Sequence, residues 1–136
     1  MLYILNKGGV EGYSEGQEPL IYLVTTAQKV AENGVPFVFS DGHGIASFTD
    51  WYCDLADLNK IDWEVIQSRY WADTLEDGDR KRRRQAEFLI HRFCPWSLIL
   101  GIAVLNDKMK KQVEAILARF PGEKRIQVVV KTDWYY

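Results

Sequence analysis

The stretch GIAVLNDKMKKQVEAILARFPGEKRIQVVV, residues 101–130, carries the clearest secondary-structure signals of this sequence. Along Asp107–Phe120 the apolar residues recur at the spacing of one helical stripe, which predicts an amphipathic helix. That stripe consists of Met109, Val113, Ile116, Leu117 and Phe120. The Pro-Gly pair that follows ends the helix. The apolar runs Gly101–Leu105 and Ile126–Val130 on either side predict strands.

Shorter apolar runs upstream predict further elements. The predicted strands are Tyr3–Leu5, Leu20–Val24, Phe37–Phe39 and Phe88–Ile90. The predicted helices are Ala27–Glu32, Ile45–Leu55 and Ile61–Tyr70. Because strands and helices mix without strict alternation, the sequence favours an α+β fold over a doubly wound parallel sheet.

Length and composition predict a single domain over residues 1–136. The chain is 47% hydrophobic and 26% charged, which excludes a mainly disordered protein. Its net charge of -2 excludes a generally basic nucleic-acid binder but allows a local basic patch. The N-terminus lacks the pattern of a signal peptide, and the longest apolar stretch, Trp96–Leu105, is too short for a bilayer. We therefore expect a cytoplasmic protein without a membrane contact, with Cys53 and Cys94 as buried thiols.

The segment from Asp73 to Arg84 has an unusual distribution of charge, because four acids are followed by five consecutive cations. These cations are Arg80, Lys81, Arg82, Arg83 and Arg84. Burying so many charges without partners would be prohibitive, so the segment is predicted to be a solvent-facing loop or an exposed helix. Two functions stay open, a solvated connector and an element that grips phosphates.

Two polar features lie beside predicted strands. Glu87 directly precedes the strand Phe88–Ile90, where catalytic carboxylates often lie but where solvated glutamates are also common. The turn after Phe39 carries Asp41 and His43 between glycines, which suits a small-ligand loop or a histidine that satisfies local backbone groups. The histidines and cysteines lack metal-ligand spacing, so no metal site is predicted. No nucleophile elbow and no Gly-rich nucleotide fingerprint is present.

Several segments form a recognisable pattern when they are taken in their order along the chain. They are Met1–Tyr3 with the Gly-rich turn after it, Ile21–Val24, Phe37–His43, Asp54–Trp63, Arg69–Ile90, Pro95–Trp96, Gly101–Ile102 and Asp133–Tyr136. Together they resemble the DarT family, toxin enzymes that use NAD to ADP-ribosylate thymidine bases in single-stranded DNA. The similarity covers about the C-terminal two-thirds of the family domain. The family's first strand and the polar and Arg residues that grip NAD belong to the part before it.

The resemblance implies a fold and a set of site residues. The fold would be an ADP-ribosyltransferase-like mixed sheet with flanking helices, incomplete at its N-terminus. Glu87 matches the catalytic glutamate of the family, and His43 and Met1 match positions beside the NAD site. Residues 70–86 occupy the place of the substrate-recognition loop.

In that loop, Tyr70 or Trp71 would stack on a base while the cations Arg80, Lys81, Arg82, Arg83 and Arg84 hold the phosphates of the strand. The resemblance further implies NAD as co-substrate, no metal, single-stranded DNA as partner, and a toxin-antitoxin pair with a macrodomain antitoxin of the DarG type.

Three other functions are weighed against this one. A non-catalytic single-stranded DNA-binding remnant of such a toxin would explain the basic segment without turnover. A metal-dependent nuclease using Glu87 and Asp41 would want a lysine two residues after the glutamate, and Leu89 stands there instead. An interaction module would bind a partner through its aromatic surface.

Overall fold

The computed structural model of the chain describes residues 11–135, which form two compact units. One unit contains residues 11–25 and 95–135, and the other contains Thr26–Cys94. In chain order the strands and α-helices are β1 (Ile21–Val24), α1 (Ala27–Glu32), β2 (Phe37–Ser40), β3 (Trp51–Tyr52), α2 (Trp63–Gln67), α3 (Arg80–Arg84), β4 (Phe88–Ile90), β5 (Gly101–Val104), α4 (Asp107–Leu117) and β6 (Gln127–Val130). Short 3-10 helices lie at Leu55–Lys60, Trp96–Leu98 and Thr132–Trp134.

The first unit is built on a three-stranded mixed sheet in the order β1-β5-β6. β1 runs antiparallel to β5, with Ile21 opposite Val104, and β5 runs parallel to β6. Because parallel neighbours need a crossover, α4 connects β5 to β6. The central strand β5 forms the core of this unit, since Ile102, Ala103 and Val104 are all buried.

Helix α4 confirms the prediction made from its apolar stripe. The Asn106 side chain caps its first turn by accepting a hydrogen bond from Met109 N at 2.9 Å. The helix ends at Leu117, a few residues before the predicted end at Phe120. Only the N-terminal part of the stripe is buried, because Ile116 is 54% exposed and Phe120 57% exposed.

The second unit is built on an antiparallel sheet in the order β3-β2-β4. Phe39 in the central strand is opposite both Tyr52 of β3 and Phe88 of β4. The rings of Phe37 and Phe88 stack with centroids 4.9 Å apart, and Phe39 is 2% exposed. Stacked aromatic rings therefore form the core under β4, the strand that Glu87 precedes.

The prediction of a helix at Ile45–Leu55 is wrong. The chain instead forms consecutive turns and then β3. Asp41 N donates to Asp50 O at 3.2 Å and Asp50 N donates to Asp41 Oδ1 at 3.0 Å, which closes a loop over residues 41–50. We call this segment the 41–50 loop. Its apolar residues Ile45 and Phe48 are 87% and 67% exposed, so the helical spacing of these residues does not reflect a buried face.

α1 has the predicted bounds. The helix predicted at Ile61–Tyr70 is confirmed only over Trp63–Gln67, because Asp62 caps its start by accepting from Val65 N and the backbone is extended at Ser68. The α+β class is confirmed, with the strands of the described residues in two sheets. Cys53 is exposed and Cys94 is only partly buried, contrary to the expected burial of both thiols. The predicted strand Tyr3–Leu5 lies outside the described residues. Within residues 11–135 no helix has the length and apolar character needed to cross a membrane.

Candidate active site

Glu87 lies at the start of β4, is exposed, and is fixed through its backbone. Ser40 N donates to Glu87 O at 2.9 Å, and Glu87 N donates to Ser40 Oγ at 3.1 Å. Ser40 is 1% exposed, and its hydroxyl donates to Gly42 O at 2.6 Å. The last residue of β2 therefore fixes the backbone of Glu87 and the first turn of the 41–50 loop together.

Gly44 brings the loop close to the Glu87 carboxylate. A Cβ atom on Gly44 would lie 3.7 Å from Glu87 Oε2 and 2.8 Å from Trp51 Cζ2. Only a residue without a side chain fits this position unless the Trp51 ring moves. The carboxylate, the indole ring and the turn after His43 thus converge around one glycine. Ser40 and Trp51 were not predicted as site residues, and only their contacts in the fold reveal them.

The backbone of His43 is held on both sides. His43 N donates to Arg82 O at 2.9 Å, while His43 O accepts from Thr49 Oγ1 at 2.7 Å and Ala46 N at 3.0 Å. Its side chain is half-buried. The structure therefore places His43 directly before the glycine that faces Glu87. Met1, the other residue predicted beside NAD, lies outside the described residues.

Within the charged segment only Arg80–Arg84 form a helix, α3, which contains no buried residue but is mostly half-buried, with Lys81 as its one exposed residue. The acids before α3 pair with its cations. Arg83 forms ion pairs with Asp62 and Asp77, and Lys81 Nζ lies 3.4 Å from Asp73 Oδ2. The hydrogen bond from Arg83 lowers the pKa of Asp77 below its ordinary value. Arg80 Nη2 donates to Tyr70 O at 2.9 Å, which ties the backbone of Tyr70 to the helix.

Arg82 has the most enclosed side chain among the ion-paired cations of α3, at 13% exposure. Its Nε and Nη2 donate to the two carboxylate oxygens of Asp79, each at 2.8 Å, and its Nη1 donates to Asp41 Oδ1 at 2.9 Å. The guanidinium carbon lies 4.9 Å from the centre of the Phe48 ring. Hydrogen bonds to Asp79 and then to Asp41 raise the pKa of Arg82 above its ordinary value.

The remaining predicted DNA contacts differ in how accessible they are. Tyr70 is 79% exposed and Trp71 is partly exposed. Arg84 is partly exposed, and its side chain has no hydrogen bond or ion pair with residues 11–135. Lys81 keeps 57% of its side chain exposed despite its pairing with Asp73. Across the described part of the chain, no group of three or more His, Cys, Asp and Glu side chains could hold a metal ion.

Comparison with known proteins identifies relatives along the whole chain. The DNA ADP-ribosyl transferase of Thermus sp. (strain 2.9) is 44% identical over 136 residues, which are 100% of this chain and 63% of that relative. The structure of Thermus sp. 2.9 DarT in complex with NAD+ matches with a TM-score of 0.92 and 42% identity, over 99% of this chain and 66% of that chain. Thermus sp. 2.9 DarT in complex with ADP-ribosylated ssDNA matches with the same TM-score and identity, over 99% of this chain and 63% of that chain.

The chain thus spans less than two thirds of the length of these relatives. The family described as "ssDNA thymidine ADP-ribosyltransferase, DarT" matches residues 1–136. The chain therefore belongs to the DarT family.

Proposed function

We propose that this protein transfers ADP-ribose from NAD to thymidine in single-stranded DNA, with Glu87 as its catalytic residue. The observation that carries the proposal is the exposed Glu87 carboxylate at the start of β4, beside Gly44 and Trp51. Family membership and the NAD+ and ADP-ribosylated ssDNA in the matching Thermus structures support the choice of substrates.

Glu87 would assist both the cleavage of the bond between ribose and nicotinamide and the formation of the bond between ribose and thymine. Its carboxylate accepts a hydrogen bond from the ribose 2′-hydroxyl and stabilises the positive charge that develops on the ribose as the bond to nicotinamide breaks. The same carboxylate takes the proton from the thymine ring nitrogen as that nitrogen bonds to the ribose carbon. Nicotinamide leaves with the electron pair of the broken bond, so the charges balance.

His43 and Met1 are proposed to lie on the NAD side of the site. For His43 the support is its position directly before Gly44, where its backbone is held by α3 and by Thr49. For Met1 the support is its match to the family pattern.

We place the DNA strand along the recognition segment at residues 70–86. Tyr70 or Trp71 is proposed to stack on a base, which contributes on the order of 1–3 kcal/mol. Among the predicted cations Arg80, Lys81, Arg82, Arg83 and Arg84, we assign the phosphate contacts chiefly to Lys81 and Arg84. Arg80 and Arg83 contribute only their positive electrostatic potential, because hydrogen bonds and ion pairs already hold their side chains on the protein.

The central test is the substitution Glu87→Gln, which keeps the shape of the side chain but removes its charge and basicity. We expect transfer to a thymidine-containing oligonucleotide to fall by orders of magnitude, with single-stranded DNA binding and the fold unchanged. The exposed Glu123→Gln variant is the matched control and should keep full transfer. Near-normal transfer by Glu87→Gln would refute the assignment. DNA binding without transfer or nicotinamide release in the unchanged protein would favour the non-catalytic remnant.

We further propose that the activity makes this protein the toxin of a toxin-antitoxin pair in the cytoplasm, where NAD and single-stranded DNA occur together. Its partner would be a macrodomain protein that removes ADP-ribose from DNA. Expression of the unchanged protein should stop growth, and co-expression of such a macrodomain should restore it. Growth arrest by the Glu87→Gln variant would contradict this role.

A further inference from the structure

We propose that Arg82 is a positioning residue that clamps the 41–50 loop beside Glu87, and that it is not a ligand for DNA phosphates. This inference rests on the proposed function, because it concerns the geometry of the same site. It also revises the phosphate-binding role that the sequence predicts for this residue.

The side-chain nitrogens of Arg82 all have acceptors within the protein. Nε and Nη2 bond to Asp79 as a fork at 2.8 Å each, and Nη1 bonds to Asp41 at 2.9 Å. Nη1 also donates to Thr49 Oγ1 at 3.4 Å, close to the C-terminal end of the loop. Since paired guanidinium forks of this kind are strong and directional, a phosphate would have to displace a carboxylate to reach Arg82.

The packing around Arg82 fits a clamp as well. A Cβ atom on Gly42 would lie 2.3 Å from Arg82 Nη1 and 2.9 Å from its Cγ. The side chain therefore lies directly on the loop backbone, and the Phe48 ring covers the guanidinium. Only 13% of the side chain is exposed, against 57% for its neighbour Lys81.

A backbone contact extends the clamp to the residues beside the carboxylate. Arg82 O accepts from His43 N at 2.9 Å, so α3 holds the loop through both its side chain and its main chain. The next residue, Gly44, is the one that faces Glu87 Oε2 and Trp51. Loosening the contact between Arg82 and Asp41 should therefore disturb the surroundings of Glu87 without touching Glu87 itself.

The test uses the variants Arg82→Gln, Asp41→Asn and the double variant, with Arg84→Gln as a phosphate-type control. A clamp predicts that each single variant lowers kcat on the order of tenfold, and that the double variant loses no more than the worse single variant. The salt dependence of single-stranded DNA binding should stay as in the unchanged protein. The Asp41→Asn arm is decisive, because a carboxylate does not hold a phosphate, so a loss of kcat in this variant cannot come from a lost DNA contact of Asp41, while Asp79 still holds Nε and Nη2 of Arg82.

The opposite result is equally specific. If Arg82 binds phosphate, Arg82→Gln raises KM for the oligonucleotide and flattens the salt dependence, as in Arg84→Gln, while Asp41→Asn leaves kcat intact. That pattern overturns the clamp.

Hydrogen exchange of the free protein separates this inference from the proposed function. Both single variants should speed amide exchange across residues 41–50, including the His43 amide, in the absence of NAD and DNA. If the unchanged protein shows no transfer, the proposed function fails while the exchange experiment still decides on the clamp. Unchanged exchange in both variants overturns the clamp whatever the activity. Asp41→Asn serves alone if Arg82→Gln does not fold.

Discussion

Gly44 has no room for a side chain, because its missing Cβ would fall 2.8 Å from the Trp51 ring. Gly44→Ala should therefore push the indole aside, misplace the groups around Glu87 and lower kcat by about tenfold or more, since small displacements at reacting groups are costly. Transfer kinetics, with a thermal melt to confirm the fold, provide the measurement.

Two comparison variants test this explanation. Gly122→Ala, where a Cβ meets nothing within 4 Å, should leave activity unchanged. Adding Trp51→Phe to Gly44→Ala should restore part of kcat, because the smaller ring vacates the contact. A Gly44→Ala enzyme as fast as the unchanged protein would show that the contact has no role in transfer.

For single residues, the sequence predicted that Glu87 lies at the start of a strand, but it did not predict which side chains surround it. Glu87 is recognisable because it directly precedes an apolar run. The pairing of Asp79 with Arg82 lies at helical spacing and was open to prediction. The contact between Arg82 and Asp41 could not be predicted from the sequence, because these residues are 41 positions apart and only the fold brings them together.

Helix α4 buries only part of its apolar stripe, so substitutions along the stripe should differ in their effect on stability. Met109 is 9% exposed, so Met109→Ala should lower the free energy of unfolding by about 2–5 kcal/mol. Ile116→Ala, at a site 54% exposed, should cost less than about 1 kcal/mol. Urea unfolding of the two variants measures the difference, and equal losses would mean that Ile116 is covered in solution.

Elements with a continuous apolar run or a strong stripe were predictable, as β4, β5 and α4 show. The Ile45–Leu55 segment was not, because its spacing fits a helix while its backbone hydrogen bonds are satisfied by turns. The pairing between Asp41 and Asp50 decides this outcome, and it depends on where β2 and β3 lie. Periodicity alone carries no information about such a pairing.

For the whole molecule, a net charge of -2 conceals a strongly uneven distribution. Most cations of α3 are matched by nearby carboxylates, while Arg84 has no partner among residues 11–135. Arg84→Gln should therefore reduce the slope of log affinity for single-stranded DNA against log salt concentration by about 0.7. Titrations at several salt concentrations measure this slope.

The matched control for that titration is Lys111→Gln, an exposed cation on α4. Its slope should equal that of the unchanged protein. An unaltered slope in Arg84→Gln would remove Arg84 from the DNA-binding surface.

The Ser40 hydroxyl, which bonds to both Gly42 and Glu87, has an evolutionary consequence. A mutation that removes this hydroxyl disturbs the turn at Gly42 and the backbone of Glu87 in one step. Lineages that lose this oxygen should lose turnover abruptly, and descendants in which Glu87 persists without it should already be inactive.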